Sequence, residues 1–207
     1  MARDLAYFIQ DGPTPGPGVL LLHSFWGLTP AVKVMADRLA DEGYTVLVPD
    51  INFGELPDSE TEAVDHLGMA NPDRLASLVL SSAQLLAEKS SQPTIAAVGF
   101  GMGGSMALWA SVRLNSIVDR VVSFYGTQQI DFAGSRSRYM VHLAESDEYI
   151  TDDETAFMEA TMGLESLEVA FHYYPRTRHG FADPDGATFD PDSSDLAWKR
   201  TVEFLRD

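Results

Sequence analysis

The sequence predicts one α/β domain over residues 1–207, a doubly wound, mainly parallel sheet with helices on both faces. Three observations predict it. Short apolar runs alternate with longer runs of helical periodicity, the pattern that lays helices across a parallel sheet. Several short runs are continuously apolar, as strands covered on both faces must be. The 207 residues contain no repeat, low-complexity tract or linker-like boundary, so a single core serves the whole chain.

The elements follow in order. Leu5 to Ile9 reads as a leading edge strand, Gly12 to Gly18 as a Pro/Gly-rich turn, and Val19-Leu20-Leu21-Leu22 as a strand buried on both faces. Thr29-Pro30 is an N-cap with proline at the first helical position, and Val32, Met35, Ala36 and Leu39 share the face that follows. Gly43 ends that helix and Tyr44 to Val48 is the next strand. Pro49 to Ala70, rich in Asp, Gly and Pro, reads as irregular. Asn71-Pro72 repeats the start signal before Leu75, Leu78, Val79 and Leu86. Thr94 to Val98 is a third buried strand, leading into Gly99-Phe100-Gly101-Met102-Gly103-Gly104 and a helix from Ser105 to about Leu114. Strands at Arg120–Phe124, Tyr139–Leu143 and Val169–Tyr173 and helices at Asp152–Met162 and Ser194–Leu205 complete the series.

Charge and composition exclude several function classes. Thirty-one acidic against 14 basic side chains leave a net charge of −17, which repels phosphate backbones and anionic headgroups. Nucleic acid and membrane are therefore not expected as partners, and anionic small substrates are disfavoured. The absence of cysteine excludes disulfides, zinc–thiolate sites and a thiol nucleophile. Met1-Ala2-Arg3-Asp4 carries no basic-then-apolar leader and no apolar run reaches spanning length, so the cytoplasm is the expected address.

The glycine-rich turn has two readings. A dinucleotide fingerprint places its glycines after the first strand of the unit, with an acidic residue ending the next strand. This turn is mid-chain, and the strand after it ends in Phe124-Tyr125-Gly126. The better reading is a nucleophile elbow, G-x-nucleophile-x-G, with Gly99 and Gly103 as the small flanking residues. Gly101 then stands where the nucleophile belongs, with no side chain to attack. The partners that follow an elbow are present in hydrolase order: Asp147 after a strand, then His179 in Arg178-His179-Gly180-Phe181. A carboxylate so placed orients the imidazole and stabilises its protonated form.

Taken together, these pieces resemble the dienelactone hydrolase family of the α/β-hydrolases across nearly the whole chain. The matching segments are Leu21-Leu22-His23-Ser24-Phe25-Trp26-Gly27, Ala36 to Tyr44, Pro49-Asp50, the elbow, the Asp147 segment and His179-Gly180-Phe181. The resemblance implies an α/β-hydrolase fold without a cap domain, and cofactor-free hydrolysis of carboxylic esters or lactones, with no metal. It also implies backbone oxyanion donors at Met102 and Phe25. Three departures accompany it. The family's cysteine or serine nucleophile is Gly101, a glutamate after the first core strand is Ser24, and a carboxylate-binding arginine four residues after the histidine is Asp183. These argue against an ordinary acyl-enzyme and against an anionic dienelactone, and point to a small neutral molecule as the ligand.

Each residue also has a structural reading. Gly101 relieves the backbone strain of a tight turn. His179 and Asp147 form either a satisfied relict pair or a working general base. Ser24 reads first as a strand-end cap and second as a relocated nucleophile. His23, His66, His142 and His172 lack ligand spacing and read as structural or solvated. Asp183-Pro184-Asp185-Gly186 with Asp190 and Asp192 has its glycine misplaced for a calcium loop and reads as a solvated acidic loop. Trp26, Phe100, Met102, Tyr125 and Phe181 are candidates to line an apolar pocket, while Trp109 and Trp198 read as core. Two rivals to hydrolysis stand beside it: a non-catalytic small-molecule binder, and a His–Asp general-base enzyme with no covalent intermediate.

Overall fold

Seven short apolar segments pair into one sheet: β1 (Ala6–Gln10), β2 (Gly18–Leu22), β3 (Thr45–Pro49), β4 (Ile95–Phe100), β5 (Val118–Phe124), β6 (Arg138–Ser146) and β7 (Val169–Arg178). The computed structural model describes residues 6–10 and 12–207; Leu5, where the leading strand was expected to begin, lies outside them. The strand order is β1-β3-β2-β4-β5-β6-β7. Only β1 runs antiparallel, pairing Ala6 with Pro49 and Gln10 with Thr45 along β3. The other pairs are parallel. The helices are α1 (Pro30–Asp41), α2 (Glu60–Met69), α3 (Pro72–Lys89), α4 (Met102–Arg113), α5 (Asp152–Leu164) and α6 (Pro191–Arg206). Among the described residues no inserted cap domain breaks the alternation.

The alternation of side chains along each strand divides the core between the two sheet faces. Val19 and Leu21 join Val46 and Val48 against α1 and α6. Leu20 and Leu22 join Leu47 and the inner faces of α3, α4 and α5. All five residues of β2 are buried, so each of its leucines contributes roughly 1.5–3 kcal/mol of apolar burial. Side-chain caps fix the helix starts: Thr29 accepts from Val32 N–H, Asn71 from Arg74 N–H and Thr151 from Glu154 N–H, the last within a full capping box.

Three expectations need correction. Residues 60–69, read as irregular, form α2, capped by Ser59, whose hydroxyl accepts from Glu62 N–H. Only Ala63 of that helix is buried, so it carries no apolar stripe to betray it. The helix after the elbow starts at Met102 rather than Ser105, directly on the turn. The last helix starts at Pro191 rather than Ser194, because Asp190 caps it through Ser193 N–H at 2.9 Å. Asp190 is thereby a helix cap.

Candidate active site

The site is built where β4 turns into α4. A Cβ on Gly99 would lie 2.1 Å from the Gly103 carbonyl oxygen, and one on Gly103 would lie 2.2 Å from that of Leu22. Strand and helix therefore approach at backbone contact, and the residue between them is thrown into a sharp turn. Gly101 holds that turn at φ 52°, ψ −116°. Its amide donates to Phe124 O at 2.9 Å and its carbonyl accepts from Ser105 N–H at 3.0 Å. The backbone thus keeps an elbow conformation with glycine at its tip.

What the missing side chain would face is open. An ideal Cβ on Gly101 would have His179 Nε2 at 3.4 Å, Ser24 Cβ at 3.8 Å and His179 Cε1 at 3.9 Å as its nearest neighbours outside the adjoining residues, all of them side-chain atoms. Behind the imidazole, Asp147 accepts from His179 Nδ1 at 2.8 Å through Oδ2 and 3.0 Å through Oδ1. Asp147 is itself held, since Oδ1 also accepts the Tyr149 and Ile150 amides at 2.9 and 3.0 Å. With Nδ1 committed as donor, Nε2 carries the lone pair that faces the elbow. Both side chains are about nine-tenths buried, which keeps the pair out of bulk solvent.

Two tyrosines clamp the imidazole. The Tyr125 and Tyr149 rings sit 4.8 and 4.7 Å from it, centroid to centroid. Tyr149 also bonds through its hydroxyl to Glu60 at the start of α2; burial and that carboxylate push its phenol up to about 12. Tyr125 holds an unusual backbone, φ 39°, at the end of β5. Its phenol is raised well above the ordinary range, first by burial and then by Asp183 and Asp147, so it stays protonated. Its hydroxyl makes no hydrogen bond among the described residues.

The backbone amides of Met102 and Phe25 likewise donate to no acceptor among the described residues. Met102 N–H opens α4, whose N-terminus has no side-chain cap, so it presents both a free donor and the positive end of the helix dipole. These are the properties an oxyanion pocket requires.

Above the dyad lies a small cleft of about 40 Å³. Ser24, Phe25, Trp26, Phe100, Tyr125, His179 and Asp183 are among the residues that line it. Thr29, Val32 and Met35 bring the start of α1 to the cleft, a contribution the sequence reading missed because Val32 and Met35 sit at core spacing. Tyr149 and Glu60 were also missed; the chain offers only the closeness of Tyr149 to Asp147 as a signal.

Other sequence candidates lie elsewhere. Phe181 is fully buried and packs on Tyr125 and Tyr174 at 5.6 and 4.7 Å, behind the cleft wall. It is core, because Gly180 at φ 81° turns the chain and swings Phe181 inward. The Met102 side chain packs on the opposite sheet face, and only its amide belongs to the site. Ser24 stays at the strand end, accepting weakly from Trp26 N–H at 3.4 Å. His23 receives the Ile51 amide on Nε2 at 3.0 Å, so its proton sits on Nδ1 and goes to Ser24 O at 2.7 Å. His142 bridges Tyr174 and Thr201 in the core. Asp183 Oδ1 accepts the Asp185 amide at 3.1 Å; burial raises its carboxyl above the ordinary range.

Comparison with known proteins agrees with this geometry. The model of the dienelactone hydrolase family matches residues 5–207. The chain belongs to that family. Among curated relatives of this dienelactone hydrolase family member, the protein usf of Aquifex pyrophilus is 26% identical, covering 93% of this chain and 88% of its own. A putative carboxymethylenebutenolidase of Aquifex aeolicus is also 26% identical, covering 96% of this chain and 91% of the relative. A dienelactone hydrolase-like promiscuous phosphotriesterase from metagenomic libraries superposes with a TM-score of 0.85 at 21% identity, covering 97% of this chain and 91% of that one. A putative dienelactone hydrolase from Klebsiella pneumoniae gives 0.83 at 18% identity, covering 98% and 92%. These likenesses show an α/β-hydrolase fold. Among the described residues, no helix is long and apolar enough to cross a membrane.

Proposed function

We propose that this dienelactone hydrolase family member hydrolyses small esters or lactones by direct, His179-catalysed attack of water. One observation carries the reading: the elbow keeps its sharp shape while Gly101 puts no side chain in front of His179 Nε2. A water molecule there would stand in the place of the family's nucleophilic side chain. The activities for which relatives are named, carboxymethylenebutenolidase among them, support ester or lactone chemistry. The Asp183 carboxylate on the cleft disfavours the anionic substrates of such enzymes.

The step balances without any covalent adduct. The water oxygen bonds to the carbonyl carbon as His179 Nε2 takes one of its protons, and Asp147 stabilises the resulting imidazolium. Met102 and Phe25 amides receive the oxyanion, each such donor being worth about 3 kcal/mol in comparable sites. Collapse breaks the ester C–O bond, and the imidazolium returns its proton to the departing alkoxide.

The test is turnover of a small uncharged activated ester by wild type and His179→Gln. The expected loss is about 10²–10⁴-fold in kcat/KM, with no acyl-enzyme in the intact mass. Equal rates in the two proteins would overturn the reading. A second reading, a binding protein without turnover, has one observation in its favour: glycine at φ 52° relieves the strain a catalytic residue would have to bear. It predicts ligand binding with no rate above background in either protein.

A further inference from the structure

The cleft combines features that its proposed chemistry does not need. Four aromatic side chains, Phe25, Trp26, Phe100 and Tyr125, line it, and no lysine or arginine does. Its one carboxylate outside the dyad, Asp183, makes no ion pair among the described residues; Asp185 N–H meets only its Oδ1. Burial without a counter-charge raises that carboxyl, a cost that an entering cation would offset. The rings are packed in a continuous chain, Trp26 on Phe25 at 5.2 Å, Phe25 on Tyr149 at 5.9 Å, Tyr149 on His179 and His179 on Tyr125. Aromatic side chains that share a cleft with a lone carboxylate suit a substituted ammonium, through cation–π attraction and a single charge pair. The net charge of −17 adds long-range attraction for the same class of ligand.

We infer that the cleft selects esters whose alcohol or acyl part carries an ammonium or quaternary ammonium group, held by Asp183 and the surrounding aromatic rings beside the His179–Asp147 dyad. This departs from the uncharged ligand expected from the sequence and rests on the hydrolase reading above. Phe25 has two roles in it, its ring in the cleft lining and its amide at the oxyanion. The ammonium group and the carbonyl must then lie within a few bonds of each other, as in a short amino-alcohol ester. An anionic ester has no place in this arrangement.

A matched pair of thioesters tests it, because the chain has no cysteine to react with a thiol reagent. Acetylthiocholine carries a trimethylammonium group; 3,3-dimethylbutyl thioacetate replaces it with a neutral tert-butyl of nearly the same shape. The expected kcat/KM ratio favours the cation by about tenfold, and Asp183→Asn brings the ratio close to one. Binding of choline itself, followed by calorimetry in wild type, His179→Gln and Asp183→Asn, gives a readout independent of turnover. Choline binding retained in His179→Gln and lost in Asp183→Asn supports the site, even if no thioester is hydrolysed; that pattern would sink the hydrolase reading alone. Turnover of both thioesters at equal kcat/KM overturns the cation inference and leaves the hydrolase reading standing. No choline binding and no discrimination by Asp183 overturns it as well.

Discussion

The Cβ that Gly101 lacks would stand 3.4 Å from Nε2 of His179, close enough that one further atom on it would meet the lone pair. The imidazole is already oriented by Asp147 from the other side at 2.8 Å. The dyad and the elbow therefore keep the relationship of an acyl-transfer site, with one atom group taken out between them.

Restoring that group should restore covalent chemistry. Gly101→Cys and Gly101→Ser are expected to hydrolyse a small uncharged activated ester with an acyl-enzyme visible by intact mass, and no such adduct is expected in the wild type. Cysteine should exceed serine, because a thiol ionises more readily beside an imidazole. Each variant should lose roughly 1–3 kcal/mol of stability in denaturant titration, since a Cβ at φ 52° is strained. Folded variants that never acylate would show that the pocket has diverged beyond this position.

Alanine at neighbouring glycines separates strain from chemistry. Gly101→Ala introduces a methyl whose nearest neighbours outside the adjoining residues are side-chain atoms at 3.4–3.9 Å, so it should fold at a cost of about 1–3 kcal/mol. The methyl also fills the space proposed for water, so ester hydrolysis should fall at least about tenfold. Gly103→Ala would put its methyl 2.2 Å from the Leu22 carbonyl oxygen, a contact that no rotamer change can relieve. It should lose more than about 3 kcal/mol or fail to fold. Equal thermal melts for the two variants would contradict this account of the turn.

Legibility in the sequence followed burial. The strands of the parallel sheet announced themselves because β2, β3 and β4 are buried on both faces and so are apolar throughout. The elbow, Asp147 and His179 were legible because a sharp turn demands glycines at fixed spacing and the partners follow fixed strand ends. α2 was not, because its stability comes from its cap and exposed face rather than from an apolar stripe; Ser59-Glu60-Thr61-Glu62 was its one local signal. The α1 wall of the cleft was hidden for the opposite reason. Val32 and Met35 serve core and cleft at once, and periodicity reports only the first. Phe181 misled because an aromatic beside a histidine says nothing of which way a glycine at φ 81° will turn the chain.

The Asp147 carboxylate serves both the imidazole and the loop that follows, and its variants should part those roles. Asp147→Asn keeps an oxygen that can accept from the Tyr149 and Ile150 amides, so stability should change by less than about 1 kcal/mol. Hydrolysis should fall by about 10²–10⁴-fold, because an amide cannot stabilise the imidazolium. Asp147→Ala should match that kinetic loss and add a stability loss of about 1–3 kcal/mol from the two orphaned amides. Intact turnover in Asp147→Asn would show that His179 works without its partner.

Acid stability should be set in part by His142, which no proposed chemistry uses. It is fully buried between the Tyr174 hydroxyl at 2.8 Å and the Thr201 hydroxyl at 3.1 Å. Burial first, then His172 and Arg200, hold its pKa well below the ordinary 6.5. A folded-state value below the unfolded one means that the unfolded chain takes up the proton first. The contribution to stability is then fully present above the ordinary imidazole value and drains away as pH falls below it. Each pH unit in that window should cost up to about 1.4 kcal/mol for the proton taken up, read as a falling urea midpoint. His172, lowered by burial and by Arg200, adds to the same slope, while the raised Asp183 carboxyl works against it. The informative quantity is therefore the difference between wild type and His142→Gln, from which the Asp183 contribution cancels, while His172 enters only through its coupling to His142. His142→Gln should be less stable at pH 7.5, where it loses a hydrogen bond, yet flatter between pH 6.5 and 5. Parallel curves for the two proteins would mean that His142 is not the group that titrates.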